Sequence, residues 1–248
     1  MNNCYSTTIG YSPLENVDYE KMLHVIKINK IIIDEYYESN KNDTILVAGT
    51  GLGQEAIIIN KEFKLRTIGV DLHLKQLGLS LESQEVVFQK HDLTTLGFRK
   101  NAFALVCCYH VLEHVVDYMS VLKEFYRVLK PGGVLFIGFP NKNRIISYIG
   151  TSQKVSELDR IKWNINDYKY KLRGKFENKF GAHAGFTEKE FLKDASSVYD
   201  TIYSVREKYM LVKYPLYHKI IRYLIRIKLE EIVFPSNYYI CIKKALSL

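Results

Sequence analysis

The sequence predicts an α/β fold with a Rossmann-like, doubly wound and mostly parallel sheet. Short apolar runs without a polar face, such as TILVAG (44–49) and FALVCCYH (103–110), are typical of strands buried on both sides. Amphipathic segments alternate with these runs, which favours right-handed crossovers with helices on both faces. Polar residues and a glycine turn collect where the apolar runs end, and this is where open parallel sheets bind ligands.

Each element is assigned from its apolar periodicity. Helical spacing predicts a first helix over 17–38, a second from Gln54, and a third over 117–130 that PGG terminates. Thr187, with Glu190 three residues later, predicts the capped start of another helix. Weaker helical patterns cover 72–84 and 216–232. Strands are predicted at 44–49, 66–71, 85–92, 103–110, 134–141, 201–210 and 236–244.

One domain is expected over residues 1–248, with an N-terminal helical cap at 1–43 and an inserted lid or substrate segment at 141–185. The stretch that follows the fifth strand is rich in Lys, Asn and Tyr and is too long for an ordinary connection. The helix around 216–231 is expected to pack its apolar side on the sheet. Contact of this helix with a membrane surface stays open.

Charge is distributed unevenly over the 248 residues, whose net charge is +8. Residues 1–140 carry 14 basic and 16 acidic side chains, whereas residues 141–248 carry 21 and 11. A basic half indicates a partner with negative charge without naming it. With 47% hydrophobic and 25% charged residues, the composition excludes wholesale disorder.

The four cysteines are Cys4, Cys107, Cys108 and Cys241, and they form no C-x-x-C pair. Neither a disulfide framework nor a zinc site is therefore expected, and no metal is predicted. The polar N-terminus has no apolar signal core, and no run approaches the ~18 apolar residues that span a bilayer. A reduced, cytoplasmic location without a transmembrane segment is expected, and the oligomeric state is not indicated.

The glycine turn and two acids predict a ligand site. Gly49, Gly51 and Gly53 allow positive φ and close approach of a ligand to the backbone. Asp71 ends the second strand, 20 residues after Gly51, where a ribose-hydroxyl acceptor belongs. Asp92 ends the third strand and could accept from an adenine amino group. Helix capping is the alternative role for each acid taken singly. The G-x-G-x-G spacing disfavours a nicotinamide dehydrogenase.

Five segments in register resemble class I S-adenosylmethionine-dependent methyltransferases. They are LVAGTGLGQE, GVDLH, FQKHDLTTLGF, FALVCCYHVLEHVVD and FYRVLKPGGVLFIGFPN, over roughly residues 40–141. The subgroup with LEHV and LKPGG segments, as in quinone-pathway and many small-molecule enzymes, is the most similar. HAGFTEKEF resembles the stretch that follows the lid in that subgroup. The resemblance implies a seven-stranded sheet with an antiparallel last strand.

The resemblance also implies S-adenosyl-L-methionine as the cofactor and assigns residues to it. The glycine turn, with Thr50, would face the methionine and ribose, and Tyr109 would lie beside the sulfonium. Asp71 with Leu72 would hold the ribose, and Asp92 with Leu93 the adenine. One departure stands out, because Val47 occupies the position of the family's usual acid. Binding is expected to be retained, since the other residues are present.

Methyl transfer is an in-line displacement that needs alignment, exclusion of water and, for an oxygen acceptor, a base. His110, just after the fourth strand, and His183, after the lid, are the candidate bases, because imidazoles titrate near neutrality. A structural role is the alternative for both. His114 is expected to fix its loop, and Glu113 would be an acid favoured by the first turn of a helix.

The function expected from these residues is methyl transfer to a small molecule, with an oxygen of a sugar, sugar nucleotide or quinone precursor as acceptor. The basic half favours an anionic acceptor. Between residues 141 and 180, ten Lys or Arg alternate with aromatic residues, so a nucleic-acid acceptor stays open as a second hypothesis. A non-catalytic, cofactor-binding relative is the third, because of Val47.

Overall fold

The computed structural model describes residues 18–74, 85–148 and 156–245. Its strands are β1 (Thr44–Ala48), β2 (Arg66–Asp71), β3 (Val86–Lys90), β4 (Phe103–Tyr109), β5 (Leu129–Pro140), β6 (Thr201–Ser204) and β7 (Ser236–Ile242). They form one seven-stranded sheet in the order β3-β2-β1-β4-β5-β7-β6. Only β7 runs antiparallel to its neighbours, β5 and β6. The predicted fold class, including the antiparallel last strand, is confirmed.

The helices of the described residues cover both faces of this sheet. They are α1 (Tyr19–Ile33), α2 (Gln54–Phe63), α3 (Tyr118–Val128), α4 (Glu157–Leu172), α5 (Glu188–Ala195), α6 (Arg206–Lys213), α7 (His218–Arg226) and α8 (Glu230–Val233). The capping box predicted for α5 is present, with Thr187 and Glu190 bonded reciprocally. Most of the helix predicted at 72–84 lies outside the described residues.

Alternating side chains of the central strands enter two separate cores. Val47 and Cys107 pack with α1 and α2 on one face, whereas Ala48 and Cys108 pack with α3 and α5 on the other. All four side chains are at most 2% exposed. Burial on both faces explains why these strands carry no polar face in the sequence. The two adjacent cysteines are core residues on opposite sides of the sheet.

The predicted end of α3 and start of β5 are displaced in the structure. The helix ends at Val128, and the strand begins at Leu129 and includes Pro131, Gly132 and Gly133, which were expected to separate the two. The pairing of β5 with β4 shifts register between Phe103 and Leu105. Such an irregularity absorbs extra residues in a strand, and a φ of +76° at Gly132 allows it.

The strand predicted over 201–210 is too long. β6 ends at Ser204, and the remainder forms α6. Val205 and Tyr209 are both 2% exposed and lie four residues apart, so they share the inner face of a helix. The Tyr209 ring stacks on Tyr238 of β7, with ring centroids 3.8 Å apart. Tertiary packing thus overrides the apparent strand periodicity.

The segment predicted as one helix over 216–232 forms two, because α7 ends at Arg226 and Lys228 has a φ of +59°. The apolar side of this predicted helix was expected to pack on the sheet. That expectation is wrong for Leu216, Ile220 and Ile227, which are exposed. Ile221 is 4% exposed, but Leu216 is 93% and Ile220 56% exposed. In the described part of the chain, no helix has the length and apolar character needed to cross a bilayer.

Residues 141–185 are anchored by a buried arginine. The Arg144 side chain is 2% exposed and pairs with Asp167 of α4 at 3.1 Å. Its guanidinium also donates to the carbonyls of Asn141, His183 and Ala184 at 2.7–2.9 Å. One side chain therefore joins the end of β5, helix α4 and the segment that carries His183.

Candidate active site

The strand order brings the predicted site residues to one edge of the sheet. β1 lies between β2 and β4, where the direction of winding reverses, and β3 lies beyond β2. The carboxyl ends of these strands therefore lead, side by side, to Asp92, Asp71, the glycine turn and Tyr109. This edge is the expected ligand crevice of a doubly wound sheet.

The glycine turn has the backbone that its sequence predicts. Gly49, Gly51 and Gly53 have φ of +74°, +53° and +88°, which other residues rarely adopt. A Cβ at Gly49 would lie 2.2 Å from the Val111 side chain, whereas a Cβ at Gly51 would meet no atom within 4 Å. Gly49 is therefore needed for packing, and Gly51 leaves open space above the turn. The Thr50 hydroxyl is buried and has no hydrogen-bond partner among the residues that the structure describes.

The carboxylate of Asp71 is tied to the glycine turn. Its Oδ2 accepts from the Gly51 amide at 2.8 Å, and its Oδ1 accepts from the His73 amide at 2.9 Å. A carboxylate has about four lone-pair positions, so it retains acceptor capacity for two ribose hydroxyls. Asp71 is partly exposed and Leu72 beside it is half-buried, so both can contact a ligand.

Asp92 uses one of its two carboxylate oxygens in its own turn. Both hydrogen bonds described for it, from the Thr94 amide at 2.9 Å and hydroxyl at 2.7 Å, use Oδ1. Leu93 is 8% exposed and belongs to the core below this edge. The turn role and the ligand role are therefore compatible in Asp92. These donors, acceptors and open glycine positions fit a nucleoside with a ribose and an amino-substituted base.

The segment after β4 lies directly against the glycine turn. Tyr109 ends the strand, and its ring meets Phe136 edge-on at 5.4 Å. Burial raises the pKa of the Tyr109 phenol well above its usual range, so this group is neutral. His110 has a φ of +53°, and its side chain is 41% exposed. This left-handed backbone redirects the chain so that Val111 packs on Gly49.

Three side chains of this region converge, which we call the His–Glu group: His110, Glu113 and His183. Glu113 Oε1 lies 3.6 Å from His110 Nδ1 and 3.3 Å from His183 Nε2. The Glu113 side chain is fully buried, and among the described residues no donor meets either oxygen in good hydrogen-bond geometry. The His114 ring also lies 4.9 Å from that of His183. The two histidines predicted as candidate bases are thus neighbours across one carboxylate.

Burial and charge act in opposite directions on this group. Burial lowers the pKa of His183 to about 4, although the Glu113 charge opposes the shift, so its imidazole is neutral at pH 7. Burial alone would raise the pKa of Glu113, but the surrounding imidazoles outweigh it and hold the pKa below its usual range. Glu113 is therefore an ionised carboxylate in an apolar setting, which is costly unless a positive partner is near.

Sequence reasoning missed two roles. Glu113 was assigned to helix-dipole stabilisation, but it lies at the centre of the His–Glu group in a 3-10 turn, Leu112–His114. Glu55 was not singled out, although it lies in the first turn of α2, directly after the glycine turn. Burial raises the pKa of Glu55 to about 8. Its position two residues after Gly53 was the available signal.

A separate open cleft lies between α5 and the end of β5. Its lining includes Asn141, Thr187, Glu188 and Arg206. None of the residues predicted for the cofactor or for catalysis lines it. The candidate site is therefore assigned to the strand ends, where those residues converge.

Comparison with known proteins finds similar methyltransferases. Residues 46–137 match a family described as "Methyltransferase domain". Phosphoethanolamine N-methyltransferase of Plasmodium falciparum is 26% identical over 187 residues, which are 73% of this chain and 66% of that protein. Ubiquinone biosynthesis O-methyltransferase of Pseudomonas entomophila is 26% identical over 149 residues, which are 59% of this chain and 57% of that protein.

Solved structures show the same fold. Phosphoethanolamine N-methyltransferase 2 of Haemonchus contortus, in complex with S-adenosyl-L-methionine, aligns with a TM-score of 0.57 at 15% identity. The alignment covers 91% of this chain and 56% of that one. The matches to the first curated relatives cover between 20% and 66% of those proteins' own lengths, less than two thirds in each case.

These findings identify the class of protein. Residues 46–137 match a methyltransferase domain, and the fold is that of class I S-adenosylmethionine-dependent methyltransferases, as the motifs predicted. S-adenosyl-L-methionine is accordingly the cofactor of this domain, and Gly49, Thr50, Gly51, Gly53, Asp71 and Asp92 would hold it. The individual site assignments stay predictions.

Proposed function

We propose that this chain transfers a methyl group from S-adenosylmethionine to an oxygen of a small, anionic acceptor. The observation that carries the proposal is the His–Glu group beside the glycine turn, with Val111 packed on Gly49 between them. The cofactor supplies an electrophilic methyl on a sulfonium. The chain has to align the acceptor, exclude water and take up a proton.

Within the His–Glu group, the two histidines have different access to an acceptor. The His110 side chain is 41% exposed and that of His183 is 33% exposed, so both reach the open edge of the site. The backbone of His183 is fixed by Arg144, whose guanidinium donates to the His183 carbonyl at 2.7 Å. His110 is the better placed of the two candidate bases, and His183 would contact the acceptor.

Glu55 is proposed to replace the acid that Val47 lacks. Val47 is 1% exposed in the core and offers no polar atom to the methionine end of the cofactor. Glu55 lies in the first turn of α2, two residues after Gly53. Burial keeps its carboxyl protonated at neutral pH, but an ammonium beside it would favour the carboxylate, and the two groups could then pair. This reading favours a binding-competent domain over a non-catalytic relative.

The basic half of the chain supports an anionic acceptor. Relatives named for phosphoethanolamine and for ubiquinone biosynthesis illustrate the classes to be tested, together with sugar nucleotides. An RNA acceptor is less well supported, because some aromatic residues of segment 141–185 are packed, although Tyr168 and Phe180 are exposed. Tyr148 meets Trp163 at 4.9 Å, and Phe176 is 7% exposed.

A labelled-methyl transfer screen tests the proposal. The panel should contain catechols, sugar nucleotides, phosphoethanolamine and RNA, with Asp71→Asn as a cofactor-site variant and exposed His24→Ala as the control. We expect full transfer to a small acceptor by the native chain and by His24→Ala, and weaker transfer by Asp71→Asn when the cofactor is limiting. His110→Ala should lower kcat without changing cofactor affinity. Absence of cofactor binding at millimolar concentration would exclude the enzyme, and transfer to RNA alone would exclude the small acceptor.

A further inference from the structure

The His–Glu group has the composition and spacing of a metal-ligand set. It offers two imidazole nitrogens and one carboxylate oxygen, and the three atoms lie within 4.8 Å of one another. An ion held at about 2.0–2.2 Å from each ligand would keep two ligand atoms roughly 3.0–3.5 Å apart. The separations of 3.3 Å and 3.6 Å between Glu113 and the two histidines lie in or near that range.

The buried carboxylate of Glu113 is a second observation that favours a cation at this group. Both oxygens of Glu113 are buried and accept no hydrogen bond from the described residues. The guanidinium of Arg144 is already paired with Asp167 at 3.1 Å. A buried carboxylate without a hydrogen-bonded partner is unfavourable, and a metal ion is one of the groups that satisfies it.

From this geometry we infer a binding site for a divalent transition-metal ion at His110, Glu113 and His183. Imidazole and carboxylate together suit zinc, manganese, iron, cobalt or nickel, and three protein ligands leave at least one position open. The expected absence of metal rested on cysteine spacing, which does not bear on a site built from imidazoles.

The three side chains of the proposed site differ in how firmly their surroundings hold them. Glu113 is fixed by complete burial, and His183 is held through its carbonyl by Arg144. His110 is more exposed. Rotation of its imidazole would shorten the third separation, which joins the ligand nitrogens of His110 and His183. Binding therefore requires a side-chain adjustment and no rearrangement of the sheet.

The ion would have a chemical task, and this part rests on the proposed function. An acceptor hydroxyl that occupies the open position would lose its proton more readily, because a bound divalent cation stabilises the oxyanion. His110 would then act as a ligand and not as the base, and the proton of the acceptor hydroxyl would pass to solvent water at the exposed side of the group. Chelators should consequently reduce turnover without reducing affinity for S-adenosylmethionine.

Calorimetry with the metal alone provides the test. The untagged chain is treated with a chelator, dialysed, and titrated with Zn²⁺ and separately with Mn²⁺. We expect one equivalent of at least one ion to bind with micromolar affinity or better. Glu113→Gln, His183→Ala and His110→Ala should each weaken binding at least tenfold, and His24→Ala on the exposed face of α1 should not. Circular dichroism confirms that each variant is folded, and the exposed His110 provides the variant with the smallest structural consequence.

The outcomes separate this inference from the proposed function. If neither ion binds, or if all three variants bind as tightly as the native chain, the metal site is refuted, whatever the methyltransferase activity. If metal binds and the variants lose it, the site stands even when no acceptor is methylated. Full turnover in the presence of a chelator would refute the catalytic role of the ion but would leave the metal site itself standing.

Discussion

At the scale of single residues, the candidate site depends on groups that perform more than one task. Asp71 fixes the Gly51 amide and still has acceptor capacity for a ligand. Gly49 accommodates Val111, which places His110 and Glu113 beside the glycine turn. Structural and ligand roles were treated as alternatives for Asp71 and Asp92, but the geometry lets one carboxylate serve both.

Replacing Asp71 tests the ribose assignment. Asp71→Ala should lower the affinity for S-adenosylmethionine by about 1.5–3 kcal/mol, the range for hydrogen bonds to a charged group. Asp71→Asn should lose less, because one oxygen can still accept from Gly51. Calorimetric titration measures both. Unchanged affinity in Asp71→Ala would show that the ribose lies elsewhere.

Glu55→Gln tests the buried carboxyl through the pH dependence of stability. The folded-state pKa of about 8 lies above the usual value of 4.5, so the folded chain retains a proton that the unfolded chain releases between these values. The native chain should therefore lose stability relative to Glu55→Gln as pH rises from about 5 to 8. Denaturant unfolding at pH 5, 7 and 9 measures the difference. If the difference in free energy of unfolding between the native chain and Glu55→Gln does not change with pH, the shifted pKa of Glu55 is contradicted.

At the scale of elements, tertiary contacts changed the assignments at the basic half of the chain. Periodicity alone extended β6 into α6 and merged α7 with α8. The structure shows that Val205 and Tyr209 are buried at helical spacing and that Lys228 has a positive φ. Both features depend on neighbouring elements, so the sequence did not reveal them. The capping box of α5 was predictable, because its hydrogen bonds connect residues three apart in sequence.

Helix α7 offers a matched pair of substitutions. Ile221 is 4% exposed and Ile220 is 56% exposed. Ile221→Ala should lower the free energy of unfolding by roughly 2–5 kcal/mol, because it leaves a cavity. Ile220→Ala should change it by at most about 0.5 kcal/mol. Urea unfolding distinguishes them, and equal losses would mean that the apolar side is covered.

The Arg144–Asp167 pair tests the anchor of segment 141–185. Asp167→Asn removes the partner of a buried guanidinium and should cost about 3–5 kcal/mol. Glu157→Gln, which breaks an exposed pair with Arg160 in the same helix, should cost far less. Because Arg144 also holds the His183 carbonyl, Asp167→Asn should lower kcat more than cofactor affinity. An unaffected stability would show that the pair does not anchor the segment.

At the scale of the whole molecule, the charge distribution follows the division of labour in the proposed enzyme. Residues 1–140 contain the glycine turn, Asp71, Asp92 and His110 and are nearly neutral in sum. The basic remainder contributes His183, Arg144 and the segment that would cover an acceptor. The lid role of 141–185 and the helical cap at 1–43 stay predictions.

Ionic strength tests the proposed anionic acceptor. Attraction between a basic surface and an anion weakens as salt shortens the screening length from about 10 Å at 0.1 M to 3 Å at 1 M. The KM for the acceptor should rise with salt, while the Kd for S-adenosylmethionine changes little. Steady-state kinetics at several salt concentrations measures the first quantity and calorimetry the second. A salt-independent KM would argue against recognition by the basic half.

The sequence by itself determined the fold class, five of the seven strands to within about two residues, and which polar residues follow the carboxyl ends of the strands. These features are local, since apolar runs, glycine turns and caps act within a few residues of each other. Only the tertiary structure decided that His110, Glu113 and His183 meet, because residues 113 and 183 are far apart in the chain and converge through Arg144. The same holds for Arg144 itself, whose burial depends on Asp167 and on carbonyls of two separate segments. Chemistry that depends on such long-range convergence leaves no periodic signal in the sequence.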